Sequence, residues 1–284
     1  MSKPYAYIRS ADPRNPLQEI ASIDHAMQLT HYRTFQERKR LRTILTWTVE
    51  FYLSNRDKYE KPTDMQVIDV GCGAGNISIP LASLGYSLTG IDISPESIDY
   101  LRAKNNLVNA KFDVHDIEFG PYGTFLYDIA VCSEVLEHLR DPLKALQHIA
   151  GMLRPGGLLI LTTPNGWGPY EITNCLKQVI RPYVKSMMYK LGLKAQRRHP
   201  NHWDPSLSTF NTDTPHLQRF TMNSLRANIQ TAGFCITDWE NSDFLTFGAL
   251  SKVTLLARLD CAVANILPSG VVSGWYLRCV RRER

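Results

Sequence analysis

Three closely spaced glycines follow a short apolar run, an arrangement that lets a ligand lie against bare backbone. The run 66–70 leads into Gly71, Gly73 and Gly75, with Asn76 next in the chain. Glycine permits positive φ at such a turn, and the helix that follows offers free N–H groups to a carboxylate or a phosphate. A dinucleotide loop of the GxGxxG type needs its third glycine at position 76, so the sequence indicates a different cofactor.

Two acidic residues follow the next two apolar runs and have the chemistry to bind a nucleoside. Asp92 lies 21 residues after Gly71, the spacing at which a carboxylate reaches a ribose diol. Asp116 can accept a hydrogen bond from an adenine amino group, and Ile117 can pack beside the ring. We therefore expect a nucleoside-containing ligand where these runs end.

The elements that must position these residues alternate between strand and helix. Apolar runs ended by glycine predict buried strands, and Ser94–Pro95 and Asp141–Pro142 are typical of helix starts. The predicted strands are 66–70, 87–93, 110–115, 127–133, 158–163, 234–239 and 275–280. The predicted helices are 77–84, 95–105, 142–153, 222–232 and 249–266, after a helical region in residues 1–60. This alternation predicts an α/β fold with a doubly wound, Rossmann-like sheet, and the turn at 267–270 predicts a last strand at the sheet's far edge.

Five short motifs follow one another in a fixed order. They are Asp69–Gly75, Gly90–Asp92, Val114–Asp116, Tyr127–His138 and Leu153–Gly157. In this order they resemble the class I S-adenosylmethionine-dependent methyltransferases, closely over residues 62–164 and more loosely to the carboxyl end. The run 134–142 is similar to that of the ubiquinone-pathway O-methyltransferases. The resemblance implies S-adenosyl-L-methionine as cofactor and a seven-stranded sheet whose last strand is reversed.

The resemblance also implies which residues hold the cofactor. In that family the positions of Asp69 and the glycines surround the methionine part, Asp92 takes the ribose hydroxyls, and Asp116 with Ile117 meets the adenine. The residues from Cys132 to Glu134 face the sulfonium. The full implied set is Asp69, Gly71, Cys72, Gly73, Gly75, Asp92, Ile93, Asp116, Ile117 and Cys132.

Three residues are candidates for the chemistry of methyl transfer. A sulfonium is already an activated donor, so the protein must mainly hold the acceptor in line and exclude water. An alcohol or phenol acceptor also needs a group that takes its proton, a role that suits histidine. The candidates are His138 beyond the fourth strand, His216 near the end of the insertion, and Glu134. Purely structural roles stay open for all three.

Residues 165–215 interrupt the alternation and are too long for a simple connection, so we predict a lid over the substrate. Apolar residues recur at helical spacing between 172 and 194, with most Lys and Arg off the stripe. The stripe indicates a face that packs on the sheet edge or forms a homodimer, or a basic amphipathic helix on an anionic membrane or a lipid-linked acceptor. Trp167, Tyr170, Trp203 and Phe210 are expected to wall the acceptor pocket.

The motifs and the insertion divide the chain into four predicted parts. Residues 1–61 form an N-terminal helical cap, 62–164 the cofactor-binding core, 165–215 the lid, and 216–284 the carboxyl-terminal part of the core sheet. We expect no metal site, because the spacing of His199, His202, Asp204 and His216 matches no standard metal centre.

The composition limits the compartment and the partners. The chain has 284 residues, 44% of them hydrophobic, which excludes a disordered or collagen-like protein. Six scattered cysteines and an amino terminus without a secretory apolar stretch predict a cytoplasmic protein, peripheral to a membrane at most. The net charge of +5 is too mild to indicate nucleic acid. Seven Lys or Arg against two acids lie between residues 165 and 205, so the excess coincides with the lid.

These observations predict a methyltransferase acting on a small-molecule, sugar or lipid-linked acceptor at oxygen. The alternatives are an N- or C-methyltransferase and a catalytically silent cofactor-binding regulatory protein. The acceptor itself has no recognisable code in the insertion.

Overall fold

A computed structural model of the chain describes residues 22–124, 126–173, 176, 180, 183, 216–245 and 254–283. Its seven strands are β1 (Gln66–Val70), β2 (Ser87–Asp92), β3 (Ala110–Val114), β4 (Tyr127–Ser133), β5 (Leu153–Pro164), β6 (Phe234–Asn241) and β7 (Gly274–Arg281). Its longer helices are α1 (Phe35–Ser54), α2 (Ser78–Ser83), α3 (Pro95–Lys104), α4 (Pro142–Met152), α5 (Met222–Thr231) and α6 (Thr254–Ile266). The predicted alternation of strand and helix is confirmed.

The strands form one sheet in the order β3-β2-β1-β4-β5-β7-β6, with β7 antiparallel to both of its neighbours. The predicted Rossmann-like sheet with a reversed last strand is therefore confirmed. The expectation that the last strand lies at the far edge is wrong, because β7 lies inside the sheet and β6 forms the edge. The burial of the two strands explains this: β7 is mostly buried, whereas most of β6 is exposed or half-buried.

Two hydrophobic cores cover the two faces of the sheet. On one face, α1 and the helical turns at 22–26 pack against β1, β4 and β5, with Leu41, Ile44 and Leu45 fully buried. On the other face, α4, α5 and α6 pack against alternate residues of the same strands, around Trp275. Residues 23–53 thus share a core with the sheet, while residues 1–21 lie outside the described part of the chain.

The helix starts form as their sequences predict. The Ser94 side chain accepts from Ser97 N at 3.2 Å, and the Asp141 side chain accepts from Lys144 N at 3.0 Å. Such caps satisfy N–H groups that the first helical turn leaves free. Both helices begin at the carboxyl edge of the parallel strands, so the caps also fix the loops there.

Among the described helices, none combines the length and the apolar character needed to cross a membrane. The division into four parts stays a prediction, since residues 184–215 and most of 174–183 lie outside the described residues.

Candidate active site

The glycine loop joins β1 to α2 in a conformation that requires glycine at two positions for steric reasons. Gly71, Gly73 and Gly75 have φ of 74°, 50° and 81°. A Cβ on Gly71 would lie 2.3 Å from Val135 Cγ2, and one on Gly75 would lie 2.4 Å from Leu101 Cδ2. A Cβ on Gly73 would meet nothing within 4 Å. The loop is therefore packed on both sides and open at its centre.

Asp92 ties this open loop to the end of β2. Its Oδ2 accepts from Gly73 N at 2.8 Å and its Oδ1 from Ser94 N at 2.9 Å. The carboxyl is buried, and burial raises its pKa above the ordinary value. Ile93, the next residue, is well exposed. A carboxylate held by two amides beside an exposed apolar side chain suits a ribose and its base.

Asp69 lies beneath the loop and is almost completely buried. Its Oδ2 accepts from Ser78 Oγ at 2.5 Å, so the last part of β1 is joined to the first turn of α2. Burial raises the pKa of Asp69 to about 7. The side chain therefore stabilises the conformation of the glycine loop. Because its pKa is near neutral, its protonation state depends on the charge of a ligand bound at the loop.

Asn76 connects the loop to the N-terminal region, a contact that the sequence did not reveal. Its Oδ1 accepts from Thr30 Oγ1 at 3.1 Å and from His31 N at 2.9 Å. The segment that precedes α1 thus lies over the glycine loop. The two partners are 45 and 46 residues away along the chain, so no local pattern could indicate them.

Glu134 is held firmly at the end of β4. Its φ of 57° is the one positive value among non-glycine residues of the described chain. Its Oε1 accepts from Thr162 Oγ1 at 2.9 Å, and its Oε2 lies 3.3 Å from an Arg40 Nη1 on α1. A strained backbone held by a neighbouring strand and an ion pair is typical of functional sites.

Arg40 was not among the predicted site residues, yet it reaches this edge of the sheet. Its guanidinium lies over the Tyr32 ring at 5.4 Å and pairs with Glu134. Its Nε is buried with no hydrogen-bond partner in the described residues, so the group retains a donor for a ligand. The run 36–42 contains several Arg residues, and the sequence does not show which of them contacts β4, because that contact forms only in the folded protein.

The remaining predicted cofactor residues lie at different depths. Cys132 is 0% exposed within the core, so its side chain cannot touch a ligand and only its backbone can. Cys72 in the loop is buried as well. Asp116 is half-buried, with its Oδ1 accepting from Glu118 N at 2.9 Å, and Ile117 is buried. These side chains shape the pocket, and Asp116 keeps lone pairs free for an amino group.

Two histidines meet beyond the end of β4. The rings of His138 and His216 are edge to face, with centroids 5.0 Å apart. His216 Nδ1 lies 3.0 Å from Glu171 Oε1, and this carboxylate raises the pKa of His216. His138 Nε2 lies 3.9 Å from Oε1 of Glu137, whose pKa burial raises well above the ordinary value. The structure thus brings together two predicted catalytic residues and adds two carboxyl groups to them.

The same group has the donor set of a metal site. Glu137, His138 and His216 each offer one ligand atom, and these atoms lie within 4.8 Å of one another. They differ from the set considered in the sequence, of which His199, His202 and Asp204 lie outside the described residues. Within the described residues this is the one group of three such ligand atoms, and the expectation of no metal site stays a prediction.

The lid contributes exposed aromatic residues beside the histidines. Trp167 is exposed, with the Arg219 guanidinium 5.7 Å from its ring, and Tyr170 is partly exposed. Trp203 and Phe210 lie outside the described residues. Three members of the helical stripe, Leu176, Ile180 and Tyr183, are exposed, and the other members lie outside the described residues, so the alternatives for this stripe stay predictions.

Residues 32–238 match the family model of the methyltransferase domain, which covers most of the chain. The chain belongs to the methyltransferase domain family. Its fold and its ordered motifs are those of the class I S-adenosylmethionine-dependent methyltransferases.

The chain is similar to curated O-methyltransferases over part of its length. It is 38% identical over 101 residues to the ubiquinone biosynthesis O-methyltransferase of Coxiella burnetii, covering 35% of this chain and 43% of the relative. The enzyme of that name from Colwellia psychrerythraea is 37% identical over 107 residues, covering 36% and 43%. The chain thus spans less than half the length of these relatives.

The fold of the chain also matches solved structures. An S-adenosylmethionine-dependent methyltransferase from Mesorhizobium loti superimposes with a TM-score of 0.50 at 16% identity, covering 76% of this chain and 91% of that one. At this identity the match concerns the fold alone.

The residues at the carboxyl edge of the sheet fit S-adenosyl-L-methionine. The open space at Gly73 admits a ligand against the loop, and Asp92 supplies a carboxylate at the end of β2. Ile93 offers an apolar surface to a base, and the buried Arg40 Nε keeps a free donor for a carboxylate. A ligand with an amino acid at one end and a nucleoside at the other matches these groups in order.

Proposed function

We propose that the protein transfers a methyl group from S-adenosyl-L-methionine to an oxygen of a small-molecule, sugar or lipid-linked acceptor. The observation that carries this proposal is the contact of His138 with His216 beside the carboxyl end of β4. A histidine pair at this position has no evident use in cofactor binding. It suits an acceptor hydroxyl whose proton must leave during transfer.

The two histidines have different roles in this proposal. A general base must begin neutral, and the carboxylate of Glu171 favours the charged form of His216. His138 is therefore the base, and His216 orients the acceptor oxygen by donating to it. Glu134 acts as a positioning residue, because Thr162 and Arg40 already engage its carboxylate.

The other residues bind, orient and exclude water. S-adenosyl-L-methionine supplies, when bound, a methyl group that needs no further activation. The glycine loop and Asp92 hold its nucleoside, which fixes the direction from which the acceptor must approach. Trp167 and Tyr170 cover the approach to the histidines and shield the acceptor from water.

Conservative variants test the base directly. We expect His138→Gln to lower turnover about 100- to 10,000-fold, with the affinity for S-adenosyl-L-methionine unchanged. His25→Gln is the matched control, since this histidine is exposed and belongs neither to the pair nor to the implied cofactor set. Turnover is measured as transfer of labelled methyl groups to fractions of a metabolite extract.

The alternatives give different outcomes in the same assay. Turnover that survives His138→Gln and His216→Gln indicates N-methylation, because an amine acceptor with a free lone pair needs no base. Cofactor binding without transfer to any fraction supports the silent regulatory protein. Retained O-methylation in His138→Gln overturns the assignment of the base.

We further propose that the acceptor is anionic or lipid-linked and that nucleic acid is not a partner. The basic excess lies in residues 165–205 of the sequence, while the rest of the chain has balanced charge. The exposed stripe of Leu176, Ile180 and Tyr183 supports contact with a membrane or a second copy through the 172–194 helix. The four predicted parts of the chain fit this division between cofactor core and substrate lid.

A further inference from the structure

The segment that carries His138 is joined along its backbone to the segment that carries the second histidine of the pair. We call residues 137–141, which follow β4, the histidine loop. The amides of Leu217 and Gln218 both donate to the carbonyl oxygen of Glu137, at 2.8 and 3.0 Å. The two histidines therefore stand on backbone segments that are fixed to each other, and their ring contact is a consequence of this pairing.

The side chain of Gln218 extends the same contact along the histidine loop. Its Nε2 donates to the carbonyl oxygens of Leu139 and Arg140, at 2.9 and 3.2 Å. The side chain is half-buried. His138 thus lies between the carbonyl groups that segment 217–218 engages, Glu137 on one side and residues 139 and 140 on the other. One glutamine satisfies two acceptors that the irregular loop would otherwise leave to water.

Glu118 holds the other end of the histidine loop. Its Oε1 accepts from the amides of Arg140 and Asp141, both at 2.8 Å. These amides directly precede α4, where a carboxylate also interacts favourably with the helix N-terminus. Because one charged oxygen receives two consecutive amides, the direction in which the chain enters α4 is fixed by a side chain from the loop after β3.

Glu118 belongs to the turn that contains the residues implied in adenine binding. Asp116 Oδ1 accepts from Glu118 N at 2.9 Å, and the Asp116 carbonyl oxygen accepts from Phe119 N at 3.1 Å. The carbonyl oxygen of Ile117 lies 2.6 Å from Nδ1 of His148 on α4. The expected adenine site, the histidine loop and the segment of the second histidine are therefore connected in a row by hydrogen bonds.

We propose that Glu118 and Gln218 are positioning residues that fix the histidine loop between the adenine turn and His216, and so place His138 relative to the bound cofactor. The inference rests on the proposed function, since it takes His138 as the base. Both residues act through His138 and need no contact with the reacting atoms. Small displacements of a catalytic group from its productive geometry cost large factors in rate, so loss of either contact should affect turnover.

Two independent pairs of variants test the proposal. Gln218→Glu keeps the size of the side chain but removes the donor, because a carboxylate cannot donate to the two carbonyls. Its matched control is Gln147→Glu, which adds the same charge at an exposed glutamine of α4. Glu118→Ala removes the acceptor, whereas Glu118→Gln keeps an oxygen that accepts from the same amides. Circular dichroism establishes folding, and either pair alone tests the proposal if a member of the other does not fold.

The kinetic readout separates positioning from stability. We expect Gln218→Glu and Glu118→Ala to lower kcat about tenfold or more, with the Kd of Gln218→Glu for S-adenosyl-L-methionine unchanged. Glu118→Gln should recover most of the loss, and Gln147→Glu should match the unaltered chain. A lower free energy of unfolding with unchanged kcat in both test variants would leave the contacts a purely structural role and overturn the proposal.

Nuclear magnetic resonance of the histidine rings gives a readout that does not depend on activity. In the full chain without cofactor, we expect the ring chemical shifts of His138 and His216 to change in Gln218→Glu and to stay constant in Gln147→Glu. Addition of S-adenosylhomocysteine should change the His138 shift in the unaltered chain and not in Glu118→Ala. Ring shifts that are the same in all variants would contradict the proposal. An unaltered chain that transfers no methyl group contradicts the proposed function instead, and the expected ring shifts would still support the positioning role.

Discussion

At the scale of single residues, the glycine loop combines two requirements that are separable by mutation. Gly71 and Gly75 are glycine because Val135 and Leu101 occupy the space of a Cβ. Gly73 has positive φ but free space beside it, so at this position the backbone itself leaves room for a ligand. Substitution of Gly71 or Gly75 should therefore lower the stability of the fold, whereas substitution of Gly73 should mainly weaken cofactor binding.

We expect Gly71→Ala to lower the free energy of unfolding by about 2 to 4 kcal/mol, because it adds both a clash and a strained φ. Gly73→Ala should cost about 1 kcal/mol, from φ alone, and weaken binding of S-adenosyl-L-methionine at least tenfold. Urea unfolding and calorimetry measure the two effects. Gly120→Ala, which has free space and ordinary φ, is the control for both. A stable Gly71→Ala would contradict the packing assigned to Val135.

The buried carboxyl of Asp69 predicts a pH dependence of stability. Folding raises its pKa from 3.8 to about 7, so the folded state binds the proton more tightly than the unfolded chain does. The group therefore destabilises the fold progressively as the pH rises from about 4 to about 7, and fully above that. The neutral Asp69→Asn variant lacks this penalty.

We expect the free energy of unfolding of Asp69→Asn, measured in urea, to exceed that of the unaltered chain by roughly 2 to 4 kcal/mol at pH 8. This difference should shrink towards pH 5. Exposed Asp99→Asn should show no such trend. A difference of equal size at both pH values would show that the ionisation of Asp69 is not its source.

At the scale of elements, the strands gather the site because β1, β2, β4 and β5 are parallel and end at one edge. The opposite edge is fastened by Asp128 at the start of β4. Its carboxylate is buried and accepts from Gln66 N at 2.7 Å, from Tyr59 Oη at 2.6 Å, and from the Arg154 guanidinium. One side chain thereby joins β1, β4, β5 and the segment before β1.

Replacement of Asp128 by Asn should lower the free energy of unfolding by about 2 to 4 kcal/mol, because buried donors lose a shared charged acceptor. The control is Asp24→Asn, which breaks the half-exposed pair with Arg42 and should cost less than about 1 kcal/mol. Both values come from urea unfolding in one buffer. Equal costs for the two variants would contradict the role of Asp128 as a buried junction.

Sequence patterns predicted the elements well, because glycine stops, Pro-containing caps and apolar runs are local features. Helix α3 and strand β4 agree with their predicted bounds to within one residue. The position of β7 in the sheet was not predicted, because the order of strands depends on which strand has enough polar residues to lie exposed at the edge. The first part of β5 was also missed, because its Arg-Pro-Gly-Gly run is typical of a turn. In the structure this run forms the irregularity between Leu153 and Leu158, which both pair with β4.

At the scale of the whole molecule, the site is assembled from segments far apart in the chain. The cofactor motifs were predictable because they are local and ordered, whereas Arg40 and Glu171 were not, because their partners lie 94 and 45 residues away along the chain. The charge is segregated in the same way, with a balanced core and a basic lid. The division between a cofactor-binding core and a lid that binds the acceptor stays a prediction.

The most direct test of the cofactor site is calorimetric titration of the full chain with S-adenosyl-L-methionine. We expect saturable binding to one site, weakened at least tenfold by Asp92→Asn and unchanged by Asp99→Asn, an exposed acid on the adjoining helix. Failure of the unaltered chain to bind, or equal affinity in the Asp92→Asn variant, would contradict the assignment of the glycine loop and β2 as the cofactor site.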